Sequence, residues 1–173
     1  QSDLSSWIRC PTAFAYGRQG HPRKQLSATA FGSVVHPALE VFERLRNTED
    51  VSFTDATHAA ISTFEHYWHP MNIEAITAPV DIWLPRQGYA ELRARGIESI
   101  RAYCQLMKLD DNELLATEFG FQVPIVGTWD YDLDEPHILA GTLDKLTLRR
   151  YTGKLILAIE DFKTGKEYKY LAK

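Results

Sequence analysis

Cysteine is almost missing from this chain: Cys10 and Cys104 are the only two in 173 residues. Two thiols are too few for a disulfide framework or a four-cysteine metal site. They fit a reducing compartment, so an intracellular, cytoplasmic protein is expected, with Cys104 in "IRAYCQLMKL" as a buried apolar residue. No apolar run approaches the length of a bilayer span, and the N-terminus lacks the basic-then-apolar pattern of a signal peptide. No membrane partner is therefore expected. Internal repeats, low-complexity tracts and a clear interdomain linker are lacking as well. What is left, at 45% hydrophobic content, is expected to form one globular domain over residues 1–173.

A net positive charge is also lacking. At −4 overall, an evenly charged chain would be a poor partner for nucleic acid. The charge is uneven, however. Residues 1–30 carry Arg9, Arg18, Arg23 and Lys24 against Asp3, for +3, and residues 144–173 carry +4, which leaves −11 for the middle. Two basic ends brought together in space would make a surface for phosphates; kept apart, they are ordinary solvated faces.

The chain runs from helical to extended patterning. "SDLSSWIRCPTAFAY" has start signals and apolar residues at Leu4, Trp7 and Ile8, which predicts a short helix that Pro11 either ends or restarts. "FGSVVHPALEVFERLR" sets Phe31, Val35, Leu39 and Phe42 on one helical stripe, with Pro37 expected early in the helix or at a kink. "TDATHAAISTFEHYW" offers Thr54 as a cap, and "GYAELRARGIESIRAYCQLMKL" predicts a long amphipathic helix. Then the period changes. "LLATEFGFQVPIVGTW" reads as a strand with Pro124 at an edge, and "DYDLDEPH" as a polar loop.

"GTLDKLTLRRYTGKLILAIEDFKTGK" is patterned as a β-hairpin turning at "YTGK". A two- or four-residue loop sets Leu148 opposite Leu157, Leu146 opposite Ile159 and Asp144 opposite Asp161, with Lys145 facing Glu160 on the other side. A three-residue loop would slip the register by one and break the apolar match. In the favoured register an apolar stripe ends in two aspartates whose Cβ atoms lie about 4.5–5.5 Å apart. Two ionised carboxylates there repel unless one protonates or a cation binds between them, and oxygen ligands at that spacing suit Mg²⁺ or Mn²⁺. Lys163 falls on the same face, where it can hold a water or a developing phosphorane charge.

"GTLDK" followed by "IEDFKTGK" resembles the core of the PD-(D/E)XK nucleases, and in particular their RecB-like exonuclease branch, related to the AddB and CRISPR-associated RecB-like nucleases. The resemblance extends upstream. "LSSWIRCPTAFAYG" is similar to the family's opening helix, and "FGSVVHPALEVF" to the next one, with Gly32 and His36 in its glycine and histidine places. Glu118 in "ATEFGF" matches the family's strand-borne glutamate. The matched pieces run in order from residue 4 to 166, while residues 45–112 match no motif. The resemblance implies an α/β (α+β) restriction-endonuclease-like core, with a mixed central sheet, the active site on a β-hairpin and N-terminal helices on its flank. It implies Asp144, Asp161 and Lys163 as catalytic residues, and His36, Glu118, Asp144 and Asp161 as metal ligands. Tyr16, Arg18, Thr164 and Lys166 are expected to contact substrate.

Two departures follow. Family members continue past the lysine motif into a helix bearing glutamine and tyrosine, and that helix is absent or cut short in a chain ending at Lys173. Some relatives hold an iron–sulfur cluster through a cysteine at the Cys-Pro site and three near the C-terminus. Cys10 fills the first place, but the trio is missing, so no cluster is expected.

Each residue also has a plainer reading. The aspartates could be solvated strand ends, Lys163 a surface charge, His36 a surface or capping histidine, and Glu118 an ordinary strand glutamate. His58, His66 and His69 are expected on the surface, and Trp7, Phe14 and Tyr16 in packing. Taken together, the motifs predict a metal-dependent deoxyribonuclease, expected to work on single strands or free ends in recombination, repair or processing. The alternative is a nuclease-like module that binds nucleic acid or a protein partner without cutting.

Overall fold

Apolar residues recurring at four-residue steps build the core. The computed structural model describes residue 8 and residues 10–19, 25–73, 77, 80–83, 88–108, 110, 112–127 and 136–162. Its elements are α1 (Pro11–Arg18), α2 (Ser27–Arg46), α3 (Phe53–Trp68), α4 (Tyr89–Met107), β1 (Glu113–Pro124), β2 (Ile138–Tyr151) and β3 (Lys154–Glu160). In α3 the buried residues are Ala56, Ala60, Phe64 and Trp68; in α4 they are Leu92, Gly96, Ile100 and Cys104. A four-residue step keeps side chains on one helical face, so each helix presents a single stripe to its neighbours. The α2 stripe is wider and includes the expected Phe31, Val35, Leu39 and Phe42. Phe64 stacks on Trp68, while Phe31 meets both rings edge-on. A Cβ on Gly96 would lie 2.1 Å from Phe64 Cζ, so only glycine lets this aromatic group close against α4.

Some helix details follow expectation and others differ. Pro11 opens α1, where its missing N–H costs nothing. The cap of α3 is Ser52, whose Oγ accepts from the Asp55 N–H; Thr54 lies inside the helix. Pro37 sits in the interior of α2 and leaves the Ser33 carbonyl without its usual helical donor. Cys104 is buried, and His58, His66 and His69 are exposed, as expected. Phe14 is half-buried and Tyr16 is 58% exposed; Trp7 lies outside the described residues.

The strands form an antiparallel sheet in the order β1-β2-β3. Among the described residues the sheet is antiparallel throughout, where a mixed one was expected, and the only parallel pairing is the isolated bridge between Leu26 and Ile82. The hairpin register is the predicted one: Leu148 pairs with Leu157, Leu146 with Ile159 and Lys145 with Glu160. The loop is Thr152-Gly153, both with positive φ (48° and 79°), the turn sense that matches strand twist. The face of the sheet turned inward is the surprise. Lys145 and Thr147 are fully buried, whereas Leu157 and Ile159 of the apolar stripe are 62% and 63% exposed. The helices oppose the hairpin with Glu43 and Tyr103, whose oxygens can accept from a lysine but have nothing to offer leucines. No helix among the described residues is long and apolar enough to cross a membrane.

Candidate metal centre

Three elements each bring one ligand-type side chain to the same place. His36 comes from α2, at the margin of its buried stripe; Glu118 comes from β1 and Asp144 from β2. One ligand atom from each lies within 4.8 Å of the other two. His36 Nδ1 is 3.7 Å from Asp144 Oδ2, with the side chains 30% and 14% exposed. Bonds of about 2.1 Å to a small cation put neighbouring ligand atoms about 3 Å apart and opposite ones about 4.2 Å apart. Modest side-chain rotation therefore closes the trio around an ion.

Phe162 fixes the chemistry of the trio. Its N–H donates to Asp144 Oδ2 at 2.6 Å, and its carbonyl lies 3.0 Å from His36 Nε2. A carbonyl can only accept, so Nε2 carries the proton. In the neutral ring Nδ1 then carries the lone pair, 3.7 Å from Asp144 Oδ2. A backbone carbonyl orienting an imidazole from behind is the usual support for a metal-ligating histidine. In that form two acceptors face each other, an arrangement that suits a cation, and the residues present fit a divalent one.

The carboxylates carry the strain of the arrangement. Burial pushes the Asp144 pKa up; the Phe162 N–H opposes this, and a hydrogen bond with Asp161 adds to it. That shared hydrogen bond is one of the two ways in which a close carboxylate pair relieves its repulsion. Glu118 is also raised, first by burial and then by the negative charges of Asp144 and Glu40. Its backbone adopts φ +48°, in the left-handed region that glutamate rarely visits, between the paired residues Thr117 and Phe119. Beside it, Arg44 bridges Glu40 and the Thr117 hydroxyl, tying α2 to β1 next to the ligands.

The expected residues divide clearly. His36, Glu118 and Asp144 meet. Asp161 lies just past β3 and is bonded to Asp144, but is not in the trio. Tyr16 and Arg18 stand exposed on α1, the Arg18 guanidinium 5.3 Å over the Phe14 ring. Lys163, Thr164 and Lys166 lie outside the described residues. Sequence reasoning missed Phe162, whose role rests on backbone atoms, and Glu43. The signal for Glu43 was present: a glutamate directly after Phe42 on a buried stripe, two helical turns beyond His36.

A family model described as the PD-(D/E)XK nuclease superfamily matches residues 1–172. No curated protein and no solved structure matches the chain.

Proposed function

The chain belongs to the PD-(D/E)XK nuclease superfamily, and from that premise we propose that it is a divalent-metal-dependent deoxyribonuclease of the RecB-like, exonucleolytic branch. Members of the superfamily are nucleases that use divalent metals and act on nucleic acid, and the α+β architecture described above agrees with their restriction-endonuclease-like core. The observation that carries the reading is the convergence of His36, Glu118 and Asp144 from three separate elements.

In this reading one domain spans residues 1–173, and His36, Glu118, Asp144 and Asp161 hold Mg²⁺ or Mn²⁺. A bound divalent cation supplies Lewis-acid charge at the phosphate and makes water a better nucleophile at neutral pH. Asp144 and Glu118, as carboxylates, would hold the ion and accept from the attacking water. Lys163 places its ammonium against the charge that builds on the phosphoryl oxygens as the P–O bond to the leaving strand breaks. Tyr16 and Arg18 on α1, with Thr164 and Lys166, contact the DNA, presented as a single strand or a free end. Recombination, repair or processing is the setting in which such an activity serves.

Labelled single- and double-stranded DNA incubated with Mg²⁺, Mn²⁺ or EDTA tests this. Cleavage is expected with either metal and lost with EDTA or in Asp144→Ala. A parent protein that retains DNA but never shortens it, at millimolar Mn²⁺, would establish the non-cleaving module instead.

A further inference from the structure

One residue after Asp144 the strand buries a charge completely. Lys145 Nζ lies 3.0 Å from Glu43 Oε1, and both side chains are fully buried. Glu43 is saturated: Tyr103 donates its hydroxyl to Oε1, and Arg46 Nε sits 2.9 Å from Oε2. Arg46 reaches on to Asp110 at 3.1 Å, while Glu160, opposite Lys145 in the hairpin, lies 3.7 Å from its ammonium. The group thus joins α2, α4, the segment after α4 and the hairpin. A buried ion pair is a poor source of stability, because desolvation consumes most of its attraction, but it tolerates few geometries.

Where those geometries act is the point. Glu43 is two helical turns from His36 on α2, and Lys145 is next to Asp144 on β2. Holding Glu43 to Lys145 therefore sets how far along α2 the strand stands, and so where His36 meets Asp144. A second route runs through rings. The Tyr103 hydroxyl contacts both Glu43 and Lys145, and the Tyr103 ring lies edge-on to Phe162 at 5.5 Å. Phe162 in turn lies edge-on to His36 at 5.9 Å and supplies the carbonyl that fixes its tautomer.

We propose that Glu43, Lys145 and Tyr103 are positioning residues of the metal centre, holding His36 and Asp144 in ligand geometry and His36 in the Nε2–H form. This rests on the nuclease reading only for the identity of the ion. The test uses Mn²⁺ alone as probe. Calorimetry gives its affinity, and ¹⁵N shifts of His36 in the metal-free protein at pH 8 give the tautomer. Lys145→Met is the first variant, because Arg46 and Tyr103 still hold Glu43 and the methionine suits a buried site. Glu43→Gln is the second, and decides the matter if the first does not fold. Cys104→Ala, also buried on α4, is the control for a destabilised core.

Mn²⁺ affinity is expected to fall about tenfold, the lower range for outer-shell partners of metal ligands. His36 should lose its single tautomer, with both readouts unchanged in Cys104→Ala. A folded Lys145→Met or Glu43→Gln that binds Mn²⁺ as the parent does, with His36 still in the Nε2–H form, overturns the proposal. A parent that binds no Mn²⁺ overturns the nuclease reading instead, and the tautomer then decides the positioning role on its own.

Discussion

At the scale of single residues, burial strains the carboxylates of the candidate site. Asp144 is raised above its ordinary value of 3.8, by burial first. A carboxyl raised in the native state binds its proton more tightly there than in the unfolded chain. Its contribution is therefore most favourable below about 3.8, declines as pH rises through the raised folded value, and stays unfavourable above it. Asp144→Asn removes this dependence while keeping an oxygen for the Phe162 N–H. In EDTA the variant should melt higher than the parent at pH 7, and the gap should close as pH falls below 4. A parent that melts at or above the variant at pH 7 would show that the carboxylate is not strained. The left-handed backbone at Glu118 tells the same story by another means, since non-glycine residues at such angles cost about 1–3 kcal/mol where they persist.

At the scale of elements, local rules were legible and pairings between layers were not. The Phe31–Val35–Leu39–Phe42 stripe marked α2 and an amphipathic pattern marked α4, and the Leu148–Leu157 and Leu146–Ile159 matches fixed the hairpin register from neighbours within the hairpin itself. Alternation along β2 could not show which face turns inward. That choice depends on Glu43, about a hundred residues upstream of Lys145, and the polar face wins because its partners are already buried there. The His36–Phe162 contact, 126 residues apart in sequence, was hidden for the same reason. His36, Glu118 and Asp144 were legible because a motif resemblance carries long-range information that periodicity does not. Helix packing offers a test of its own. Gly96→Ala would drive a methyl into the Phe64 ring, an overpacking that typically costs about 1–3 kcal/mol. Denaturant melts should show that loss, although alanine is the better helix former. A variant as stable as the parent would mean that α3 and α4 can separate freely at this contact.

At the scale of the whole molecule, the candidate ligands come from the helical layer and from the sheet, so an ion bound by all three would join the two. His36 belongs to α2, and Glu118 and Asp144 belong to β1 and β2. An unfolded chain scatters these residues over more than a hundred positions and binds no ion with comparable strength, so metal binding must add to folding stability by mass action. Mn²⁺ at a hundred times its dissociation constant adds about 2.7 kcal/mol by that relation. Because the layers would share the ion, the added stability should appear equally in the hydrogen-exchange protection of the α2 and the β2 amides. Excess EDTA should return both to the metal-free level. His36→Ala removes the helical candidate ligand, so Mn²⁺ should raise that variant's melting midpoint far less than the parent's, each measured from its own metal-free value. That value is lower in the variant because the contacts with Phe162 are lost as well. Equal stabilisation of parent and His36→Ala would place the ion on the sheet carboxylates only, and the helix would then have no part in holding it.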